Sequence, residues 1–172
     1  IGGECAGAVT FIPTGEKLRS HSHQYRLLTD GELVKIIEEL PQRPLLAGME
    51  EVRLSLAGAQ DKIAVKIENN NIYLPLGNSP STHILKPDHP RYKGLIYNED
   101  FCMKLAKGIG LPTAKTETKD AQGHSYLLIE RYDRINNNGV LERIHQEDFC
   151  QALNIPSMYK YQNEGGPSIK QC

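Results

Sequence analysis

The stretch Ser55-Leu56-Ala57-Gly58-Ala59-Gln60-Asp61-Lys62 is made mostly of small and polar residues and leads into an alternating run, residues 62–67. The alternation predicts a β-strand with its apolar side at Ile63, Val65 and Ile67. A glycine and two alanines before a strand let backbone N–H groups approach a bound anion. The stretch therefore predicts either a phosphate-binding loop or an ordinary turn, since it matches neither a Walker A loop nor the Gly-rich loop of protein kinases.

The composition is that of a globular chain without a strong net charge. Its 172 residues are enough for one domain with a core or for two small subdomains. With 20 Lys and Arg against 21 Asp and Glu, the net charge of −1 gives no electrostatic argument for direct binding to nucleic acid or to an anionic membrane. No apolar run is as long as a membrane span and no signal peptide opens the chain.

The cysteines indicate the compartment. They form no Cys-x-x-Cys pair, and they stand at Cys5, Cys102, Cys150 and Cys172. We expect free buried thiols in a reducing cytoplasm rather than a zinc site or disulfides, and no metal site within the chain.

The first 50 residues contain one clear helix pattern. Residues 29–32 have the spacing of a capping box, and apolar residues follow at Leu33, Ile36, Ile37 and Leu40. Pro41 is expected to end this helix. Before it, Gly7-Ala8-Val9-Thr10-Phe11-Ile12 reads as a strand stopped by Pro13, and residues 14–28 read as a polar loop.

Further strands follow the small-residue stretch. Residues 62–76 predict a β-hairpin with Pro75 on an edge strand. Residues 82–87 predict a short strand with Lys86 near its end. Residues 113–118 and 125–130 predict two more strands joined by a polar turn, and residues 146–153 begin another helix.

A second amphipathic helix is predicted with Asn98 as its N-cap. Gly108 and Gly110 close it. Its apolar stripe comprises Phe101, Cys102, Leu105, Ala106 and Ile109. At about 100° per residue, Glu99 lies on the buried flank of this helix, and Asp100, Lys104 and Lys107 lie on its outer face.

This order of parts is typical of the small lobe of a kinase-like fold, so we predict an α+β fold with an antiparallel sheet and helices, followed by the start of a larger lobe. Phosphoryl transfer needs a cation on the α/β-phosphates, a carboxylate to hold it, a backbone lid and an edge for adenine. Lys86 and Glu99 could supply the cation and its restraint. The alternative is that Lys86 is a snorkelling surface residue and Glu99 complements the helix dipole.

Several segments resemble, in order, the motifs of the HipA family, the serine/threonine kinase toxins of bacterial toxin–antitoxin pairs. They are residues 55–62, Thr82-His83-Ile84-Leu85-Lys86, Asn98-Glu99-Asp100-Phe101-Cys102, Glu130-Arg131-Tyr132-Asp133-Arg134 and Gln146-Glu147-Asp148-Phe149-Cys150-Gln151. Residues 1–9 and 160–167 are similar to family segments as well, so the resemblance covers essentially the whole chain.

The resemblance implies an ATP site. Lys86 would contact the ATP phosphates, and Ser55 matches the autophosphorylated serine whose modification withdraws the loop and inactivates the kinase. Arg53 could pair with that phosphate or be an ordinary surface residue. The phosphate-side loop would be Ala57, Gly58, Ala59, Gln60, Asp61 and Lys62, and the adenine-side hinge would be Glu130, Arg131 and Tyr132. Glu99 as partner of Lys86 is our inference from its place on the helix.

The family's catalytic Asp and its magnesium-binding Asp have no counterpart within residues 1–172, so we expect them downstream and expect this chain alone to be inactive. We divide the chain into residues 1–50, the end of an amino-terminal part, 51–134, the ATP-binding lobe, and 135–172, the start of a helical lobe.

The resemblance also implies cofactors and partners. The cofactors are ATP and Mg²⁺. The partners are an antitoxin of the HipB type, DNA only through that antitoxin, and a substrate such as glutamyl-tRNA synthetase or another aminoacyl-tRNA synthetase. The alternatives are a non-catalytic module that binds an antitoxin or toxin subunit, and a nucleotide sensor.

Overall fold

The computed structural model describes residues 4–5, 7–9, 14–15, 23–46, 54–55, 60–138 and 140–172. The described helices are α1 (Asp30–Glu39), α2 (Leu95–Gly108) and α3 (Phe149–Ala152). The described strands are β1 (Glu4–Cys5), β2 (Gln24–Leu27), β3 (Leu54–Ser55), β4 (Ile63–Glu68), β5 (Asn71–Leu76), β6 (His83–Pro87), β7 (Thr116–Ala121), β8 (His124–Glu130), β9 (Arg134–Asn137) and β10 (Val140–Arg143).

A six-stranded sheet in the order β2-β5-β4-β6-β8-β7 forms the centre of the fold, and all its neighbouring strands are antiparallel. The prediction of an antiparallel sheet combined with helices is therefore confirmed. Two short pairs accompany this sheet: β1 with β3, which are parallel, and β9 with β10, which are antiparallel.

Helix α1 covers one face of the sheet. Its capping box is present as predicted, because the Thr29 side chain accepts from the Glu32 N–H and Glu32 accepts from the Thr29 N–H. The apolar side chains of α1 pack against alternate residues of the central strands, which share one face of a pleated sheet. The core formed in this way contains Leu33, Ile36, Ile37, Leu40, Ile63, Val65, Leu74, Leu85 and Leu128.

Removing the α1 cap is expected to weaken the fold measurably. Thr29→Ala leaves an N–H of the first turn without its side-chain acceptor, so the free energy of unfolding should fall by about 1 kcal/mol. Urea denaturation measures this loss. A second capping box joins Asp148 and Gln151 at α3, a helix that buries no residue, so Asp148→Ala should cost less. An equal cost at both sites would show that the cap does not act through the α1 core.

Helix α2 lies on the opposite face, and here two predictions are wrong. The helix begins after Gly94, which has φ 84° and donates its N–H to the Asp88 carboxylate, so Asn98 lies inside the helix and does not cap it. The predicted apolar stripe also points away from the sheet, since Phe101 is 64% exposed and Leu105 54% exposed.

Asp100, predicted to lie outside, is instead buried on this face. Its carboxylate accepts from Thr116 Oγ1 and from Lys104 Nζ, each at 2.6 Å. A polar side chain from β7 thus satisfies a carboxylate that the helical pattern alone assigned to solvent. Periodicity identifies the faces of a helix but not the neighbours that each face meets.

Three further predictions need correction. Gly7 and Ala8 lie in a turn rather than a strand, while residues 10–13 of that prediction lie outside the described residues. Part of the predicted polar loop forms β2, because Tyr25 and its neighbours pair with β5. Pro75 is not on an edge strand, since β5 lies between β2 and β4. It is tolerated because pairing with β4 ends at Tyr73, so no ladder bond is lost.

Other predicted elements are confirmed with small shifts in their ends. The β4–β5 hairpin turns at Asn69 and Asn70, both with positive φ. The predicted strand at 113–118 is β7, which starts three residues later, and the predicted helix at 146–153 contains the short α3.

Candidate functional site

Lys86 and Glu99 come together on the face of the sheet that α2 covers. Leu85 belongs to the core under α1, so the next residue of β6, Lys86, points to the other face. Its Nζ donates to Glu99 Oε1 at 2.6 Å, and the two side chains are 17% and 30% exposed. This is a charge-assisted hydrogen bond between a central strand and the helix beside it, and it fixes the position of the ammonium group.

A second lysine lies near this pair. Lys62 immediately precedes β4 and is only 6% exposed. Burial lowers the pKa of its ammonium group, the positive charge of Lys86 lowers it further, and Asp61 and Glu99 oppose the change. Lys160, in the carboxy-terminal part of the chain, also lowers this pKa. The face therefore carries two neighbouring ammonium groups and a carboxylate, an arrangement that favours a bound anion because an anion stabilises both charged lysines.

The predicted hinge lies at the end of β8, and its three residues differ in their exposure and in their hydrogen-bond and ion-pair partners. Glu130 ends β8 and forms an exposed ion pair with Lys115 at 3.2 Å. The Arg131 N–H donates to the Thr82 carbonyl at 2.9 Å, and its side chain is buried away from Lys86. Tyr132 is 74% exposed. The structure thus brings the Arg131 backbone to the sheet edge but not the Arg131 side chain to the Lys86–Glu99 pair.

The phosphate-side loop is described only at its two ends. The backbone of Ser55 pairs with β1, where it lies opposite Cys5. Ala57, Gly58 and Ala59, like Arg53, lie outside the described residues.

The other end of this loop reaches the α1 side of the sheet. Gln60 and Asp61 line a cavity of about 240 Å³ together with Ile37 and Glu38 of α1. Pro87, Asp88 and Lys93, which lie between Lys86 and α2 in the chain, line the same cavity, so it extends from α1 to the end of the strand that carries Lys86.

Sequence reasoning missed a buried network beyond the hinge. Asp133 is 4% exposed and binds both Arg131 and Arg134. The family motif at residues 130–134 includes Asp133 and Arg134, but the resemblance implies a role only for its first three residues. One sequence signal pointed to this network: three charged residues of both signs lie within four positions after a predicted strand. Charged side chains are buried only when they are paired, so such a cluster favours a buried ion network.

The described residues contain no arrangement typical of a metal site or of a membrane-spanning helix. Within that part of the chain, no group of three or more His, Cys, Asp or Glu side chains is arranged to hold a metal ion. No described helix combines the length and apolar character required to cross a bilayer. Cys102, Cys150 and Cys172 are free thiols, but the prediction that they are buried is wrong, since Cys102 and Cys172 are exposed and Cys150 is half-buried.

Comparison with known proteins places this chain in a family. The sequence profile of the HipA-like C-terminal domain matches residues 54–172. The putative kinase Y4mE of Sinorhizobium fredii is 45% identical over 177 positions, covering 100% of this chain and 42% of that protein. The serine/threonine-protein kinase toxin HipA of Shewanella oneidensis is 34% identical over 169 positions, covering 96% of this chain and 38% of the toxin.

A solved structure of a HipA protein is also similar to this chain. The complex of Shewanella oneidensis HipA, HipB and operator DNA contains a chain that matches with a TM-score of 0.73 and 31% identity, over 96% of this chain and 38% of the other. This chain thus spans between 38% and 42% of the length of the curated relatives it matches. By its profile match over more than half of its length, this chain belongs to the HipA-like family.

Proposed function

We propose that this chain is the ATP-binding core of a HipA-type serine/threonine protein kinase toxin. The observation that carries the proposal is the 2.6 Å ion pair between Lys86 and Glu99 on the α2 face of the sheet, with Lys62 beside it. A partly buried lysine held by a helix carboxylate is the arrangement by which kinases fix a cation against the ATP phosphates. The kinase relatives support this assignment.

In this proposal the two lysines bind phosphate oxygens. Lys86 contributes a point charge to the α/β-phosphates, and Glu99 prevents its long side chain from moving away. Lys62 contributes a second charge at the end of the small-residue loop, whose backbone N–H groups at Ala57, Gly58 and Ala59 cover the phosphates. Mg²⁺ would neutralise the negative charge of the ATP phosphates. We place its ligands and the catalytic base in the part of the longer relatives that this chain does not span.

The base of ATP is assigned to the edge that follows β8. Because the N–H groups of Glu130 and Arg131 already bind the carbonyls of Lys115 and Thr82, we assign the adenine contacts to the Glu130 carbonyl and the Tyr132 N–H. The exposed ring of Tyr132 leaves that edge accessible to a nucleotide.

The partners follow from the relatives. The Shewanella structure combines HipA with HipB and operator DNA, which supports an antitoxin of the HipB type that makes the DNA contact. We assign the phosphorylated target to the aminoacyl-tRNA synthetases, with Ser55 as the site of autophosphorylation. Both assignments apply to the kinase as a whole.

Lys86→Ala tests the nucleotide site. ATP with Mg²⁺ should raise the melting temperature of the parent chain, whereas the variant should bind ATP about tenfold to hundredfold more weakly because a charge-assisted contact is lost. Without ATP the variant should lose about 1–3 kcal/mol of stability, because a charge-assisted hydrogen bond between two mostly buried side chains is removed. Thermal shift with an ATP titration measures both quantities.

Lys35→Ala is the matched control, since Lys35 is an exposed lysine on α1, on the other side of the sheet. It should leave the ATP response unchanged. An equal ATP response in the parent and in Lys86→Ala would remove Lys86 from the site. If ATP raises the melting temperature of the parent chain but radioactive ATP labels no protein, this chain binds ATP without catalysing phosphate transfer.

A further inference from the structure

The carboxylate of Asp133 is the centre of a buried network. Arg131 donates to it from two nitrogen atoms, at 2.9 and 2.7 Å, and Arg134 Nη1 lies 2.9 Å from Oδ2. Arg131 Nη1 also donates to Ser81 Oγ at 3.1 Å, and Ser81 is fully buried. Because Ser81 and Thr82 lead into β6, the network holds the segment after β8 against the start of the strand that carries Lys86.

The same carboxylate binds the amino-terminal segment. Gly7 donates its N–H to Asp133 Oδ2 at 2.8 Å and accepts from Arg134 Nη1 through its carbonyl at 3.3 Å. Gly7 is buried with φ 67°, and a Cβ added there would lie 2.9 Å from the backbone nitrogen of Gln146. Only glycine therefore fits this position without a shift of the backbone.

Gly7 lies two residues after the end of β1, which pairs with the strand that contains Ser55. In the parallel β1–β3 pair, Glu4 lies opposite Leu54 and Cys5 lies opposite Ser55. A pair of two-residue strands is too short to be stable by itself. The nearest described attachment of β1 to the rest of the fold is Gly7, two residues after Cys5.

We propose that Asp133 and Gly7 are positioning residues that hold β1, and through β1 the Ser55 strand, at a fixed place relative to the phosphate-binding face. The functional half of this inference rests on the proposed ATP site. In physical terms, a carboxylate located just after the adenine-side hinge helps to set the position of the Ser55 backbone. Loss of the Gly7 contact should therefore disturb the phosphate end of the site.

A disulfide reports the β1–β3 pairing directly. Residues opposite each other on neighbouring strands have Cα atoms close enough for a disulfide. Ser55→Cys, in a chain whose Cys102, Cys150 and Cys172 are changed to serine, should cross-link to the natural Cys5 in glutathione buffer. Adding Gly7→Ala should slow this cross-linking about tenfold, because the Gly7 N–H can no longer reach a charged acceptor.

Gly7→Ala is preferred to a change of Asp133, because the latter removes a buried counter-charge and can unfold the chain. Gly123→Ala is the control: Gly123 has φ 87° but open space around its Cβ position, so it imposes left-handed strain without a collision. It should leave the cross-linking rate unchanged. Equal rates in Gly7→Ala and in the parent cross-linking variant would overturn the proposal.

The link between Gly7 and the nucleotide site is tested by measuring ATP affinity in proteins that keep the natural Ser55. Gly7→Ala should weaken ATP binding severalfold, and Gly123→Ala should not. Slower cross-linking with unchanged ATP affinity would overturn the link between this network and the nucleotide site. Absence of ATP binding in the parent would instead overturn the proposed function, and the cross-linking rates would still decide whether Gly7 holds the Ser55 strand.

Discussion

Asp133→Ala is expected to lower the free energy of unfolding by about 3–5 kcal/mol, because it removes a buried carboxylate that binds two buried guanidinium groups. The side chains of Arg131 and Arg134 are each 2% exposed and that of Asp133 is 5% exposed. Water cannot replace the lost carboxylate at such burial, and the Gly7 N–H loses its acceptor as well.

Urea denaturation followed by circular dichroism measures the loss. Glu117→Ala is a suitable control, because Glu117 is 65% exposed and pairs with Lys119 at 3.5 Å, and pairs of this kind contribute about 0–1 kcal/mol. A similar cost for the two substitutions would mean that the Asp133 network is not a buried charge cluster in solution.

The same carboxylate gives stability a defined dependence on pH. Burial alone would raise the pKa of Asp133, but hydrogen bonds from Arg131 and the Gly7 N–H, and the charges of Arg131 and Arg134, hold it below its usual value. A lowered folded-state pKa contributes stability above the unfolded pKa of about 3.9, and this contribution disappears as the pH falls through the folded pKa. The difference in unfolding free energy between the parent and Asp133→Asn should therefore be constant near neutrality and shrink below about pH 4.

Local sequence signals were enough for the elements whose partners are close along the chain. The α1 capping box joins residues three apart, and the β4–β5 hairpin joins strands across two asparagines. In both cases the residues that decide the structure lie within one window of the sequence, so periodicity and turn chemistry identify them.

The parts that could not be predicted depend on distant partners. Asp133 accepts from a glycine 126 residues earlier, and Thr116, 16 residues after Asp100, turns that carboxylate inward on α2. No pattern within one helix or loop contains such information. The Lys86–Glu99 contact spans 13 residues and was inferred only by placing the helix beside the strand through a kinase-like order of parts.

Phosphorylation of Ser55 is expected to weaken ATP binding by about thirtyfold to a thousandfold, provided that the proposed ATP site is correct. Ser55 ends β3, and the loop it opens leads to Lys62 beside Lys86. A phosphoserine adds roughly two negative charges near the place where ATP brings its own. At an effective dielectric constant of about 20 and a separation of about 8 Å, such charges repel by roughly 2–4 kcal/mol after screening by salt.

Isothermal titration of ATP into homogeneously Ser55-phosphorylated protein measures this effect, with Ser55→Ala as the variant that should retain affinity. Amide exchange distinguishes two ways in which affinity could fall. If repulsion expels the loop, residues 55–62 should exchange faster after phosphorylation; if the new phosphate binds Lys62 and Lys86 in place of ATP, they should exchange more slowly. Because both routes are electrostatic, the loss should shrink between about 0.05 M and about 1 M salt, where the Debye length is only about 3 Å. Unchanged ATP affinity in the phosphorylated protein would make Ser55 a simple turn residue, and the regulatory assignment would then be withdrawn.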